Sequence, residues 1–225
     1  MSTIRMNRGC GLGYLLAASL GLAGSAALAA GAASHFGSGD EGWMASGDAS
    51  SSAVTWRSTG GNPGGNIEII DAVLGGVTFF DAPAKFLGNQ LATFGQTLSF
   101  DLMQHITGNP DQFNFSDVVL SGGGLTLALD TASNPAFDAW THYNVALSSG
   151  AWRLNDLSGA FATNAQIKTV LGSLSGLHIR AEYQTGPDTG YLDNVVLGAV
   201  PESSTAAMLA LGLACLGVVA RRRRG

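Results

Sequence analysis

Apolar and polar positions alternate with a period of two through most of the chain. Ala53-Val54-Thr55-Trp56, Asn66-Ile67-Glu68-Ile69-Ile70 and Val77-Thr78-Phe79-Phe80 each fit a strand with one buried face. The residues at 96–103, 117–120, 125–129, 142–147, 178–183 and 193–197 do the same, so nine strands are predicted. Turn-forming clusters separate them: Gly60-Gly61-Asn62-Pro63-Gly64-Gly65, Gly108-Asn109-Pro110-Asp111, Ser121-Gly122-Gly123-Gly124 and Thr185-Gly186-Pro187-Asp188-Thr189-Gly190. One segment has the other period. Thr163 and Gln166 form a capping-box pattern, and Ile167, Val170, Leu171 and Leu174 follow on one helical face. Gly172 and Gly176 are expected to end that helix. Short strands, tight turns and one helix predict an all-β jelly-roll sandwich in a single domain.

The two ends follow neither pattern. Arg5 and Arg8 precede an apolar stretch from Leu12 to Leu22, and Ala27-Leu28-Ala29 offers the small-x-small site that signal peptidases cut. Residues 1–33 are therefore expected to be an export signal. At the other end, Thr205 to Ala220 is an apolar run of 16 residues, a helix of roughly 24 Å, short for a bilayer core of about 30 Å. Arg221, Arg222, Arg223 and Arg224 would hold its C-terminus in the cytoplasm. Val200-Pro201-Glu202, the Leu/Ala/Gly-rich span and the arginine cluster resemble the bacterial PEP-CTERM sorting signal, with Ser203 in place of the usual second proline. That resemblance implies an exosortase as partner, a transient stay in the inner membrane, and release to the outer envelope or the extracellular space. Residues 200–225 are assigned to this signal and 34–199 to the working domain. The alternative for the tail is a plain single-pass anchor.

Charge sharpens the picture once the ends are set aside. The whole chain carries a net charge of −5, but six of its 11 basic residues lie in the two ends. The domain keeps five, Arg57, Lys85, Arg153, Lys168 and Arg180, against fifteen acidic residues, a net of about −10. So acidic a surface is unsuited to phosphate backbones and excludes nucleic acid as a partner. Both cysteines, Cys10 and Cys215, fall in the ends, so the domain has no disulfide and no thiolate chemistry.

Candidate chemistry is sparse. His35, His105, His142 and His178 are not spaced as metal pairs, and three of them lie in strand patterns. Gly172-Ser173-Leu174-Ser175-Gly176 has leucine where a nucleophile elbow needs serine, and Ser121-Gly122-Gly123-Gly124 lacks the lysine of a phosphate loop. No carboxylate pair is singled out for glycoside hydrolysis. Two sets of residues suggest binding. Asp40 and Glu41 near the start, and Asp193 near the end, would come together if the first and last strands are neighbours. Hard oxygen ligands there would suit a structural Ca²⁺, although solvated acids would look the same in the sequence. Trp56, Trp140, Tyr143, Trp152 and Tyr191 supply the flat rings that stack on sugars, although aromatics also fill sandwich cores.

Several longer strings occur in an order that resembles one family. They are Trp56 with Ser58-Thr59-Gly60-Gly61-Asn62-Pro63-Gly64-Gly65, Ala82-Pro83-Ala84-Lys85-Phe86-Leu87-Gly88-Asn89, Leu98-Ser99-Phe100-Asp101-Leu102, 117–124, Trp140 with Tyr143, Val145 and Leu147, and Leu192-Asp193-Asn194-Val195. Together they resemble the laminin B domain, also called laminin IV type A, across roughly residues 36–197. The resemblance implies a jelly-roll β-sandwich similar to carbohydrate-binding modules, some of which hold a structural Ca²⁺, and a non-catalytic adhesion or matrix role. The cysteine-rich repeats that flank the domain in animal laminins are missing. The function expected is an exported surface or matrix module associating with exopolysaccharide through one sandwich face. A structural protein contacting other proteins is the alternative, and a polysaccharide hydrolase is the third choice.

Overall fold

A computed structural model describes residues 31–73, 75–106 and 113–198. All nine predicted strands are present, and three short ones join them. The first sheet has the order β3 (Thr55–Gly61), β4 (Gly64–Asp71), β12 (Asp188–Leu197), β6 (Thr97–Ile106), β9 (Thr141–Ala146), with β1 (Ala32–Ser34) also paired to β12. The second runs β10 (Arg153–Leu154), β8 (Leu125–Leu129), β7 (Val118–Gly122), β11 (Leu174–Arg180), β5 (Phe79–Asp81), β2 (Met44–Ser46). Every pairing between these strands is antiparallel. The first and last strands are neighbours, Ser34 facing Val195. Strand β1 starts at Ala32, so residues 32 and 33 of the expected export segment pair with β12. The sorting residues Val200, Pro201, Glu202 and Arg221 to Arg224, and the apolar spans at both ends, lie outside the described residues. Among the described residues no helix is long and apolar enough to cross a membrane.

Strand alternation sets the core. On β6, Leu98, Phe100 and Leu102 point inward and are at most 2 % exposed, and on β7 Val118 and Leu120 do the same from the opposite sheet. Trp43 packs edge-on against Phe36 and Phe86 and donates from Nε1 to Ser34 Oγ at 2.8 Å. Gly123 and Gly124, both at positive φ, make the β7–β8 hairpin turn, as the glycine cluster predicts.

Helix α1 (Asn164–Gly172) starts where its capping box predicts. Thr163 Oγ1 accepts from Gln166 N, and Gln166 Oε1 accepts from Thr163 N. Ile167, Val170 and Leu171 are buried, but Leu174 begins β11 and Gly176 lies within that strand rather than past a helix end. The apolar spacing continued across a boundary that Ser173, at φ −152°, imposes on the backbone. Thr163→Ala is expected to cost about 1 kcal/mol. A lower urea midpoint with an unchanged slope would show it.

Candidate ligand face on the first sheet

Residues directly opposite one another in an antiparallel ladder share a face. Register therefore places Tyr191 beside Glu68 on β4 and Met103 on β6, and Asp193 beside Asp101, which in turn faces His142 on β9. Their neighbours Ile67, Leu192 and Leu102 point the other way into the core. The outer face of the first sheet thus carries aromatic and charged side chains.

Two arrangements fix its polar atoms. Arg57 grips Glu68 with a fork, Nε at 2.5 Å from Oε2 and Nη2 at 2.7 Å from Oε1, while Glu68 itself is only 2 % exposed. Tyr191 lies close to this pair. Burial first, and then the Glu68 charge, raises its phenol above the ordinary value. The second arrangement is a hub built on Asp101 and Asp193. Asn62, at the tip of the β3–β4 hairpin, donates from its backbone N to Asp193 Oδ2 at 2.6 Å and from Nδ2 to Asp101 Oδ2 at 3.2 Å. Asn194 Nδ2 donates to Asn62 O at 2.5 Å and to Asp101 Oδ2 at 2.8 Å. It reaches them because the β12–β6 register shifts between Asp193 and Val196, and because Asn194 takes a left-handed φ of 49°, which asparagine tolerates. His142 Nδ1 lies 2.6 Å from Asp101 Oδ1, and Trp140 Nε1 donates to Gly60 O at 3.1 Å. The hairpin end is so held down against the face. Asp193 is fully buried, and desolvation raises its carboxyl despite the amides of Asn62 and Asn194.

The expected aromatic set divides. Trp140 and Tyr191 are half-buried and belong to this face. Trp56 lies opposite Ile67, on the inner side of the edge strand β3, and donates to Phe36 O at 2.7 Å. Tyr143 is opposite Phe100, stacks on it at 5.2 Å between centroids, and donates its hydroxyl to Ser133 O. It is 6 % exposed and forms part of the wall of a groove of about 480 Å³ beside β9. Trp152 is completely buried, with Nε1 donating to Ala146 O at 2.8 Å, so it is a core residue and cannot stack on a ligand. Arg57, Glu68, Asp101, His142, Asn62 and Met103 were not foreseen. The alternation of Glu68 with Ile67 and Ile69 shows that Glu68 faces outward, but nothing local shows which strand lies beside it.

The carboxylates of this face are all held by donors, which suits binding rather than acid–base chemistry. The expected metal ligands are likewise engaged. Asp40 accepts from Gly42 N, and Glu41 accepts from His35 N, Phe36 N and Lys85 Nζ. Burial alone would raise the Glu41 carboxyl, but Lys85 and the Phe36 amide hold it below the usual carboxylate range. Asp193 Oδ1 accepts from Asn194 N and Oδ2 from Asn62 N. Among the described residues the metal-capable side chains that gather, with ligand atoms within 4.8 Å of one another, are Asp48, Asp71 and Glu182.

A jelly-roll β-sandwich with a polar, aromatic outer face is the class these observations define. The pattern of the family described as Laminin B (Domain IV) matches residues 79–210, and the chain belongs to that family. It is 32% identical to laminin subunit gamma-1 of Danio rerio over 169 residues, 70% of this chain and 10% of the relative. The chain thus spans about a tenth of the length of that relative. Among solved structures, the L4b domain of human laminin alpha-2 aligns with a TM-score of 0.49 at 15% identity, over 58% of this chain and 78% of that one. A family 11 carbohydrate-binding module of a cellulosomal cellulase from Clostridium thermocellum aligns with a TM-score of 0.45 at 14% identity, over 77% and 97%.

Proposed function

We propose that the chain works outside the cell as a non-catalytic surface or matrix module that associates with polysaccharide through the outer face of the first sheet. The observation that carries this reading is the joint placement of Tyr191 and Trp140 beside the Arg57–Glu68 fork and the Asp101–His142 pair. Flat rings supply the apolar contact a sugar face needs, and fixed charged groups supply directional hydrogen bonds to hydroxyls. Membership of the laminin B family supports an extracellular, non-enzymatic role.

Retention of the purified chain on the producing cells' own exopolysaccharide tests the reading. Tyr191→Ala and Trp140→Ala should each weaken retention about tenfold. Trp56→Ala, on the other side of the sheet, should leave it unchanged. Equal retention by all four proteins, or none on any glycan, would sink the reading. Self-association with no glycan response would favour the protein-contacting alternative.

The tail completes this proposal. Val200-Pro201-Glu202, the apolar span and Arg221 to Arg224 would direct the protein to an exosortase, with membrane contact only before processing. Intact mass of the extracellular form should lack both ends, and a mass that retains residues 200–225 would contradict the sorting step.

A further inference from the structure

The end of the sandwich away from the hairpin hub holds carboxylates where a core belongs. Along β4 the inward positions are Ile67, Ile69 and then Asp71, and Asp71 pairs with Asp188 at the start of β12. Asp71, Glu182 and Asp188 are 1, 1 and 4 % exposed. Asp48, in the turn after β2, reaches them from the second sheet's edge strand, and one oxygen from each of Asp48, Asp71 and Glu182 lies within 4.8 Å of the others. The backbone is shaped to bring them together. Gly47 and Gly76 both have positive φ, and a Cβ would meet Val77 O at 1.9 Å and Asp48 Oδ2 at 2.0 Å respectively, so neither tolerates a side chain.

Some of the oxygens have donors. Thr78 Oγ1 donates to Asp48 Oδ1, Thr78 N to Glu182 Oε2, Val73 N to Asp71 Oδ1, and Gln104 Nε2 to Asp188 Oδ2. The other oxygen of each, Asp48 Oδ2, Glu182 Oε1, Asp71 Oδ2 and Asp188 Oδ1, is buried with no hydrogen-bond partner, as is Gln184 Oε1. Buried carboxylate oxygens left without donors are costly, and several on one spot repel. Among the described residues every lysine and arginine is engaged elsewhere. Arg57 holds Glu68, Lys85 holds Glu41, Arg180 holds Asp117, and Arg153 and Lys168 lie over Phe161 and Phe94. Those five are all the lysines and arginines of the domain.

We propose that Asp48, Asp71 and Glu182 bind a Ca²⁺ ion, which ties the β2 turn, the end of β4 and the β11–β12 connection together at this end of the sandwich. Donors that are all oxygen, with no histidine or cysteine, select a hard cation over a transition metal. Setting separates the hard ions. Mg²⁺ demands near-ideal octahedral geometry and keeps several waters, whereas Ca²⁺ takes protein oxygens in flexible geometry. Buried carboxylates already fixed by Thr78 and Val73 suit the second. The site differs from the terminal set Asp40, Glu41 and Asp193, whose carboxylates already have donors from the chain.

Calcium chloride added to the chelator-treated full chain, followed by calorimetry and thermal melting, tests the site. The expected result is one Ca²⁺ per chain and a melting temperature higher by about 5–10 °C at roughly a hundredfold excess over Kd, with a much weaker response to MgCl₂. Glu182→Gln and Asp71→Asn should lose the bound ion and the shift, while melting in chelator no lower than the parent because each removes a repelling charge. Asp193→Asn should keep the calcium response. No calcium uptake by the parent chain, or a response lost in Asp193→Asn and kept in Glu182→Gln, would overturn the proposal.

Discussion

Arg180→Ala is expected to destabilise the domain by about 3–5 kcal/mol, the largest effect of any single change at a charged residue here. The side chain is completely buried at the end of β11. Its Nη2 lies 3.1 Å from Asp117 Oδ1, 3.2 Å from Phe113 O and 3.3 Å from Asn134 Oδ1, and the guanidinium sits 3.8 Å over the Tyr183 ring. Asp117 Oδ2 accepts from Thr131 N and Oγ1. Removing the arginine leaves Asp117, 1 % exposed, without a counter-charge and opens a void against Tyr183. Asp130 adds to the strain on the site, since burial first and then the Asp117 charge raises its carboxyl. Arg180→Lys should rescue little, because an ammonium cannot both stack on the ring and reach three acceptors. Arg180→Met combined with Asp117→Asn should recover part of the loss, the signature of a coupled pair. Urea midpoints measure all of these, and a loss under about 1 kcal/mol for Arg180→Ala would show that the pair is not buried in solution.

The second large effect separates core from ligand face. Trp152→Ala should cost about 3–5 kcal/mol, since it deletes a fully buried indole and removes the donor to Ala146 O. Trp140→Ala should cost far less in stability, because that ring is half-exposed and its main polar tie is to Gly60 O. For polysaccharide retention the reverse order is expected: Trp140→Ala should weaken it, and a folded, conservative Trp152→Phe should bind like the parent. Two tryptophans 12 positions apart in a chain with four are thus distinguished by orthogonal measurements. A Trp152→Phe protein with parental stability and lost retention would put the ligand where the core is placed now.

Much of the architecture could be read from periodicity, because a long strand covered on one side leaves an alternating record. β6 and β12 are ten residues each, and their inward positions are apolar from Leu98 to Leu102 and from Leu192 to Leu197. β1, β2 and β10 were missed because two or three residues carry no period. The cluster at 185–190 reads as a turn because glycine and proline dominate it, yet Asp188, Thr189 and Gly190 are in β12, paired to both β4 and β6. That misplacement also hid the acidic site, since Asp188 looks like a turn residue until register sets it beside Asp71. The candidate face was legible by composition but not by membership. Alternation tells which side of its strand a residue takes, whereas the strand order that brings Glu68, Tyr191, Asp101 and His142 together is a tertiary fact. For Trp152 the sequence carried no signal at all, because a core indole and a stacking indole have the same neighbours in one dimension.

The proposed binding surface is the outer face of the first sheet. Titrating the ¹⁵N-labelled chain with oligosaccharides cut from the producing cells' exopolysaccharide maps it residue by residue. Shifts confined to Tyr191, Met103, Trp140, His142, Arg57 and the Asn62 hairpin tip are the result expected. Shifts that cluster instead around Asp130, Thr131, Ser133 and Tyr143 in the β9 groove, or an unperturbed spectrum at saturating oligosaccharide, would contradict it.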